Sequence, residues 1–515
     1  MRGREGDAAL LAATVERIER ARVYDLARET PLQEARRLSA RLGSRVLIKR
    51  EDLQPIFSFK VRGACNKIVS LPREQAERGL VAASAGNHAQ GVALAAAHFG
   101  TRATIYMPRV TPRIKVDAVA ALGGGVVLHG ESFDEALAEA LRCAEKSRAV
   151  FVHGYDDPEV IAGQGTIAVE IFQQHPDPID AIFVPVGGGG LIAGILAYAK
   201  IHHPETAIVA VEPDDAASLE AALRADRPVR LDHVGIFADG AAVGEVGAEV
   251  FRILRGHLDD HVSVSADEIC AAIRDLFHDT RVVAEPAGAL ALAGMKRWIA
   301  QSSARAQQRT YVVIQSGANI NFHGLPQILE RVSLGEEREA IFAVKMPERP
   351  GACRNLCSAL GDHDIIEFSY RYANADDEAH IFLGVEVSGG ASERAAIALQ
   401  LKEQGYEVVD MTGNDMALVH ARHMVGGRVP DLRHERLLRF EFPQRPGALR
   451  RFIDLISPSW NLTLFHYRKG AARGWVLAGI QVPPEQQGSF LKALDELGYP
   501  WVDETGNEAY RLFLR

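Results

Sequence analysis

Lys60 sits in Ser58-Phe59-Lys60-Val61-Arg62-Gly63-Ala64, beside apolar residues and ahead of a helix-like stretch. A lysine partly withdrawn from water has a lowered pKa, and as a free amine it can form a Schiff base or take up a proton. Pattern alone does not separate it from Lys49, which stands in the charged run Lys49-Arg50-Glu51-Asp52. A second feature is built for anions. Ile182-Phe183-Val184 reads as a strand, Gly187 to Gly190 as the turn after it, and Leu191-Ile192-Ala193 as the start of a helix. Glycines let a ligand approach the backbone, and the N–H groups and dipole of the helix start hold a phosphate. No Gly-Lys-Ser/Thr follows, so this is not a Walker loop. Gly188-x-Gly190-x-x-Ala193 also fits a dinucleotide fingerprint, with Glu212 ending a strand downstream. By itself the loop therefore leaves a dinucleotide, another phosphate ligand and a structural turn all open.

These groups are useful only if the fold sets them side by side. From about residue 45 to 325, short β-branched runs alternate with alanine-rich runs of helical length. Strands are predicted over 45–48, 80–82, 103–106, 126–128, 150–152, 181–186, 207–211 and 310–314, with helices such as 89–99, 133–146 and 191–201 between them. That alternation argues for βαβ units and a mostly parallel sheet. Polar or glycine-rich turns follow three of the strands: Ser84-Ala85-Gly86-Asn87, Gly187 to Gly190, and Ser316-Gly317-Ala318-Asn319. Ligands of open α/β sheets bind at the carboxyl ends of strands, so the three turns are expected to meet at one crevice.

The chain has 515 residues, which at about 150 per domain suggests three or four domains. An apolar fraction of 47% and a charged fraction of 24% exclude a disordered or fibrous protein. The net charge of −9 offers no general attraction to nucleic acid or to an anionic membrane. Five cysteines without a CxxC pair fit reduced thiols in the cytoplasm, and Cys353 and Cys357, at i, i+4 on a predicted helix, are expected to pack in a core. Arg2 and Arg4 precede Ala8-Ala9-Leu10-Leu11, but Glu16 and Glu19 arrive too soon for a secretory leader and speak against a mitochondrial one. Leu11, Val15 and Ile18 instead fall at helical spacing. The uncharged stretch 181–199 approaches membrane-spanning length, but Pro185 and four glycines break it into a strand, a loop and a helix. His202-His203 lacks the spacing of a metal pair on one helix face, and no metal site is expected.

Near residue 331 the texture changes, and Glu336-Glu337-Arg338-Glu339 after Gly335 reads as an exposed linker, placed at 331–339. Beyond it the chain repeats itself. Arg349-Pro350-Gly351-Ala352 returns as Arg445-Pro446-Gly447-Ala448, and Phe368-Ser369-Tyr370-Arg371 as Phe465-His466-Tyr467-Arg468. Gly405 to Asn414 returns as Gly498 to Asn507 with seven of ten positions identical. Two copies are too few for a solenoid. Each reads as strand, turn, helix, strand, strand, helix, an α+β module, with boundaries at 340–428 and 429–515. Chemistry needs no second pair of modules, so the tail suggests regulation.

Taken in order, Lys49-Arg50-Glu51-Asp52, Ser58 to Ala64, Ser84 to Gly91, Pro185 to Leu191, Glu285-Pro286-Ala287-Gly288-Ala289 and Ser316 to Asn319 resemble the fold type II, or β-family, pyridoxal-phosphate enzymes. Within them the chain is similar to the long biosynthetic threonine ammonia-lyases, whose paired ACT-like modules the duplicated tail resembles. The resemblance implies an α/β catalytic domain of two open αβα subdomains over 1–330, two α+β ACT-like modules, and pyridoxal 5′-phosphate as cofactor. It also implies a cytoplasmic homotetramer that opens isoleucine biosynthesis, with isoleucine as inhibitor and valine as its antagonist.

By the same resemblance, Lys60, with Phe59 beside it, carries the cofactor and later handles the Cα proton. Gly187, Gly188, Gly189, Gly190 and Leu191 hold the phosphate, in agreement with the separate argument from the turn. Asn87 bonds the ring hydroxyl, and Ser316 the pyridine nitrogen. The loop Ser84, Ala85, Gly86, Asn87 and His88 receives the substrate carboxylate. A neutral hydroxyl such as Ser316 leaves the ring nitrogen largely unprotonated, which suits β-elimination over transamination. Glu285 reads as a helix-starting carboxylate. Tyr370 and Tyr467, at equivalent places in the repeat, are the candidate effector contacts. The alternatives are another β-family activity such as serine dehydratase or racemase, a catalytically silent amino-acid sensor, and an NAD-binding oxidoreductase.

Overall fold

The structure is a computed structural model. It describes residues 2–301, 308–335, 338–347, 349, 351–371, 378–419, 421–424, 426, 429, 432–443, 447–468, 474–508, 510 and 514. The chain divides into two compact units, Met1–Gly335 and Glu336–Arg515.

Among the described residues the first unit carries ten strands: β1 (Leu32–Glu34), β2 (Arg45–Arg50), β3 (Leu80–Ala83), β4 (Ala103–Met107), β5 (Gly125–Leu128), β6 (Val150–Phe151), β7 (Ala181–Pro185), β8 (Ala207–Pro213), β9 (Asp260–Val264) and β10 (Thr310–Gln315). Six of them form one sheet in the order β1-β2-β10-β7-β8-β9, and four another in the order β5-β4-β3-β6. Every pairing is parallel except β1 on β2. All eight strands predicted from the alternation are present. β1 and β9, which the sequence reading left out, are edge strands of the larger sheet. β7 is buried along its whole length, as an apolar run inside a parallel sheet must be.

Helices cover both faces of the larger sheet. On one side Ile161, Ile167, Leu191 and Ile195 pack beside Leu11, Val15 and Ile18 of the helix Arg2–Glu19. On the other lie Ile269, Leu290 and Met295, from the helices Ala266–Thr280 and Pro286–Ala300. The uncharged stretch 181–199 is β7, the glycine turn and the start of the helix Gly190–His202. Among the described residues no helix is long and apolar enough to cross a membrane.

The charged run around Lys49 is folded inward. Lys49 is fully buried, with Nζ 2.5 Å from a Glu170 carboxylate oxygen. Arg62 is equally buried and bridges Glu51 at 2.7 Å and Glu170 at 2.5 Å. Charges taken out of water persist only when paired in this way. The network fixes the helix Lys60–Val69, whose first residue is the candidate lysine.

Among the described residues the second unit is built on one continuous eight-stranded sheet. Its strands are β11 (Glu339–Pro347), β12 (Ile365–Arg371), β13 (Glu378–Glu386), β14 (Glu407–Asp410), β15 (Glu435–Phe442), β16 (Asn461–Arg468), β17 (Gly474–Gln481) and β18 (Trp501–Asp503), in the order β14-β11-β13-β12-β16-β17-β15-β18. Each module gains a short last strand beyond the predicted pattern, giving βαββαβ, because the Gly405 and Gly498 motifs lead back along the first strand. β12 and β16 join the two copies antiparallel. Gly351 and Gly447 take φ of 88° and 81° where each first helix begins. Pro350, Arg445 and Pro446 lie outside the described residues. The segment read as a linker over 331–339 contains the end of the helix Leu325–Gly335 and the start of β11; Glu336 and Glu337 lie outside the described residues.

Candidate active site

The cavity of interest lies at the carboxyl ends of β7 and β10. Lys60, Phe59, Gly187 to Gly190, Leu191 and Ser316 line it together, with Tyr155, Ala241 and Ala287 completing the wall. Two of the three turns expected to meet at one crevice thus share a lining. The third joins through hydrogen bonds, because Asn87 bonds Asn319 from the last turn.

Lys60 reaches the cavity from the first position of its helix, and that helix is tied to the turn after β10. The Phe59 N–H donates to the Ser316 carbonyl at 3.1 Å, and the Ala318 N–H to the Phe57 carbonyl at 2.9 Å. The Lys60 amine donates to the Gly154 carbonyl at 2.8 Å. Loss of hydration lowers its pKa to about 8, partly offset by the nearby Glu285. A substantial neutral fraction therefore exists slightly above neutrality, the form that attacks a carbonyl or accepts a proton.

The glycines are there for space. A Cβ on Gly188 would lie 2.2 Å from the Tyr155 ring, and one on Gly190 2.6 Å from the Tyr155 carbonyl. Gly189 takes φ of 87° as it turns into the helix Gly190–His202, whose free N–H groups face the turn. The result is a backbone cradle at a helix N-terminus beside an amine, which fits a group bearing both a phosphate and an aldehyde. Tyr155 is the backing of that cradle, with its pKa raised to about 12 by burial. Sequence reading missed it, since its role appears only in contact with a loop thirty-odd positions away.

Ser316 is buried, its hydroxyl donating to the Ala287 carbonyl at 3.3 Å. No carboxylate stands among the cavity-lining residues at that wall. Ser84 to Asn87 are half-buried at the exit of β3, where the helix Asn87–His98 begins. The Ser84 hydroxyl accepts from the Gly86 N–H at 3.2 Å. Ser84, Ala85, Gly86, Asn87 and His88 are not brought into the lining of the cavity itself, and Asn87 is tied to its rim through Asn319 and Glu285. His88 is buried and turned away, with Nε2 2.9 Å from the Val152 carbonyl. Loss of hydration, reinforced by the Lys60 charge, lowers its pKa to about 3, so its imidazole is neutral.

Glu285 starts its helix as expected, but its side-chain partner lies elsewhere. It occupies the N-cap position of the helix Pro286–Ala300 but makes no side-chain cap. Its carboxyl accepts instead from the Asn87 amide at 2.8 Å, and burial raises its pKa to about 7. Its place in the Glu285-Pro286-Ala287-Gly288-Ala289 stretch was the one available signal.

At Glu212 the carboxylate is occupied by the N–H groups of Leu219 and Glu220 and by His261 Nε2 at 2.8 Å. Among the described residues no group of three or more His, Cys, Asp or Glu side chains could hold a metal ion. In the second unit Tyr370 and Tyr467 are both buried in the core shared by the two modules, Tyr467 against Phe442 with ring centroids 5.8 Å apart. Cys353 and Cys357 pack into the same core.

Residues 23–317 match the family of pyridoxal-phosphate dependent enzymes, and residues 330–421 and 427–514 each match the C-terminal regulatory domain of threonine dehydratase. The chain is 50% identical to the biosynthetic L-threonine dehydratase of Burkholderia multivorans over 97% of its own length and 99% of the relative's. It is 49% identical to that of Escherichia coli, over 96% of each chain. Among solved structures, the processed form of threonine deaminase isoform 2 from Solanum lycopersicum is similar at 46% identity and a TM-score of 0.61, covering 62% of this chain and 93% of that one. Maize serine racemase is similar at 33% identity and a TM-score of 0.58, covering 61% and 96%.

Proposed function

Because the chain belongs to the pyridoxal-phosphate-dependent threonine dehydratases of the long, biosynthetic form, we propose that it eliminates water from L-threonine and releases 2-oxobutanoate and ammonia. The observation that carries this is the meeting of Lys60, the glycine cradle and Ser316 in one cavity.

Gly187 to Leu191 would hold the cofactor's phosphate, Lys60 its aldehyde carbon, Asn87 its ring hydroxyl and Ser316 its ring nitrogen. When bound, the cofactor supplies a conjugated ring that spreads the electron pair left by the broken Cα–H bond. Lys60 Nζ removes the Cα proton, a task matched to an amine whose pKa lies near the working pH. Ser84 and the N–H groups at the start of the helix Asn87–His98 receive the substrate carboxylate. The β-hydroxyl departs as water, and the released enamine is hydrolysed in solution to the oxo acid and ammonia. The neutral Ser316 hydroxyl favours expulsion of the β-substituent over storage of charge on the ring.

The tail belongs to a regulatory domain family, which supports control by amino-acid effectors. Isoleucine as inhibitor and valine as antagonist form part of the proposal, with Tyr370 and Tyr467 as the contacts to test. A cytoplasmic homotetramer completes it on the pattern of the family.

The test is 2-oxobutanoate formation from threonine by the holoenzyme, with and without isoleucine, alongside Lys60→Ala. Product that falls with isoleucine, and a variant slowed by about 10²–10⁴-fold or more, is the expected result. Normal turnover by Lys60→Ala would sink the assignment.

A further inference from the structure

Four groups beside the cavity form a chain of hydrogen bonds whose direction is forced. The Ile56 carbonyl can only accept, and it takes a hydrogen bond of 2.7 Å from Asn319 Nδ2. The same nitrogen lies 2.7 Å from the Asn87 side chain, so Asn87 must turn Oδ1 toward it. The Asn87 Nδ2 group is then directed at Glu285 Oε1, 2.8 Å away. One amide hydrogen is used on Glu285, and the other is left for a ligand. The Asn319 backbone N–H bonds the same carboxyl. Gly317 makes room, since a Cβ there would lie 2.2 Å from Glu285 Oε1.

We propose that Ile56, Asn319, Asn87 and Glu285 form an orienting relay that presents the remaining Asn87 amide hydrogen to the cofactor's ring oxygen, with Glu285 a positioning residue that works in its protonated form. This rests on the proposed function, which puts that ring oxygen beside Asn87. An ionised Glu285 would set a second negative charge near an oxygen that bears one, and would hold Lys60 in its charged form. Both effects oppose the reaction.

The surroundings shift the carboxyl toward its neutral form relative to an exposed glutamate. Glu285 is buried, and Asp239 on the turn Asp239–Ala241 raises its pKa further. The opposing groups are Lys115 on the helix Arg113–Ala121, itself paired with Asp239 at 2.6 Å, Lys60, and the Asn87 and Asn319 hydrogen bonds. Together they leave the group titrating at about 7.

The experiment follows the bound cofactor's absorbance and the turnover of threonine across the neutral range in wild type, Glu285→Gln and Asn319→Ala. Wild type is expected to show an ionisation near 7 in both readouts. Glu285→Gln, which keeps an acceptor for Asn87 but cannot ionise, should bind cofactor and lose that ionisation. Asn319→Ala should keep it and bind pyridoxal phosphate about five- to tenfold more weakly, as expected for one lost orienting hydrogen bond. A Glu285→Gln profile identical to wild type, or unweakened binding by Asn319→Ala, would overturn the relay. Infrared titration of the cofactor-free wild-type protein gives a reading that depends on no variant folding and on no turnover. A protonated-carboxyl band lost with a midpoint near 7 supports the relay, and its absence overturns it. Failure of Lys60→Ala to abolish turnover would instead overturn the functional reading and leave this titration standing.

Discussion

Ser369 of β12 faces His466 of β16 across the junction of the two modules, and each is the other's counterpart in the repeat. A pseudo-twofold axis therefore passes between them. It sets Phe368 opposite Tyr467 and Tyr370 opposite Phe465. These four aromatic residues enter one core that draws on both copies, with the Phe368 and Phe465 rings 5.7 Å apart and nearly perpendicular. Ser in one half and His in the other breaks the symmetry at its centre.

A shared core means shared stability. Phe465→Ala, in the second module, should cost about 3–5 kcal/mol. It should weaken amide protection in β12 and β13 of the first module as well as in β16 and β17. Hydrogen exchange checks this: loss confined to the second module would show that the copies fold independently.

The lowered pKa of Lys60 makes a chemical prediction for the cofactor-free protein. Its reaction with an amine-acylating reagent should follow a midpoint near 8, while exposed lysines follow their ordinary value of about 10.4. Peptide mapping of labelled protein across pH measures both at once. Pyridoxal phosphate should protect Lys60 selectively.

Gly188→Ala tests the cradle. The added methyl meets the Tyr155 ring, which cannot yield like the end of a flexible chain. Cofactor affinity should fall by about tenfold or more, corresponding to an overpacking cost of about 1–3 kcal/mol. Tyr155→Ala in the same chain should restore part of it. Titration of cofactor-free protein with pyridoxal phosphate gives the affinities, and undiminished binding by Gly188→Ala would place the phosphate elsewhere.

Buried neutral histidines set the acid limit of the first unit. The folded pKa of His88 is lowered to about 3, and burial also lowers that of His153. Between the unfolded value of about 6.5 and the folded one, only the unfolded chain takes up the proton. The stabilisation is therefore complete above about 6.5 and is lost as pH falls toward 3, by an amount on the order of a few kcal/mol for His88. Urea unfolding should show a smaller loss between pH 6.5 and 5 for His88→Gln than for wild type, because glutamine can still donate to the Val152 carbonyl without titrating.

Local pattern carried much of this molecule. The β-branched runs marked eight strands, six of them buried along most of their length and the edge strands β5 and β6 more exposed, and Leu11, Val15 and Ile18 marked the first helix because its apolar stripe packs on the sheet. The cradle was legible because glycine has few other reasons to occur four times in succession between a strand and a helix. The edge strands β1 and β9 were not, since three or five residues half-exposed carry no strong period. Lys49 and Lys60 looked alike in sequence. What separates them is Glu170, whose carboxylate neutralises Lys49 from 121 positions away and leaves Lys60 without such a partner. Glu285 starts its helix as expected, but its side-chain partner was hidden for the same reason: the amide it serves lies 198 positions earlier.

The position of β10 has a consequence for the order in which the protein can be made. The last strand of the first unit is wedged between β2 and β7, with Ile314 beside Lys49 and Val312 beside Ile182. Until the ribosome has passed residue 315, the larger sheet is split into two pieces that have no edge in common. The smaller sheet, drawn from residues 80–151, suffers no such delay. Lys60 and the glycine turn can already be joined through the packed helices Lys60–Val69, Pro158–Gln174 and Gly190–His202, but a nascent chain completes the cavity wall that carries Ser316 only after β10 has been inserted.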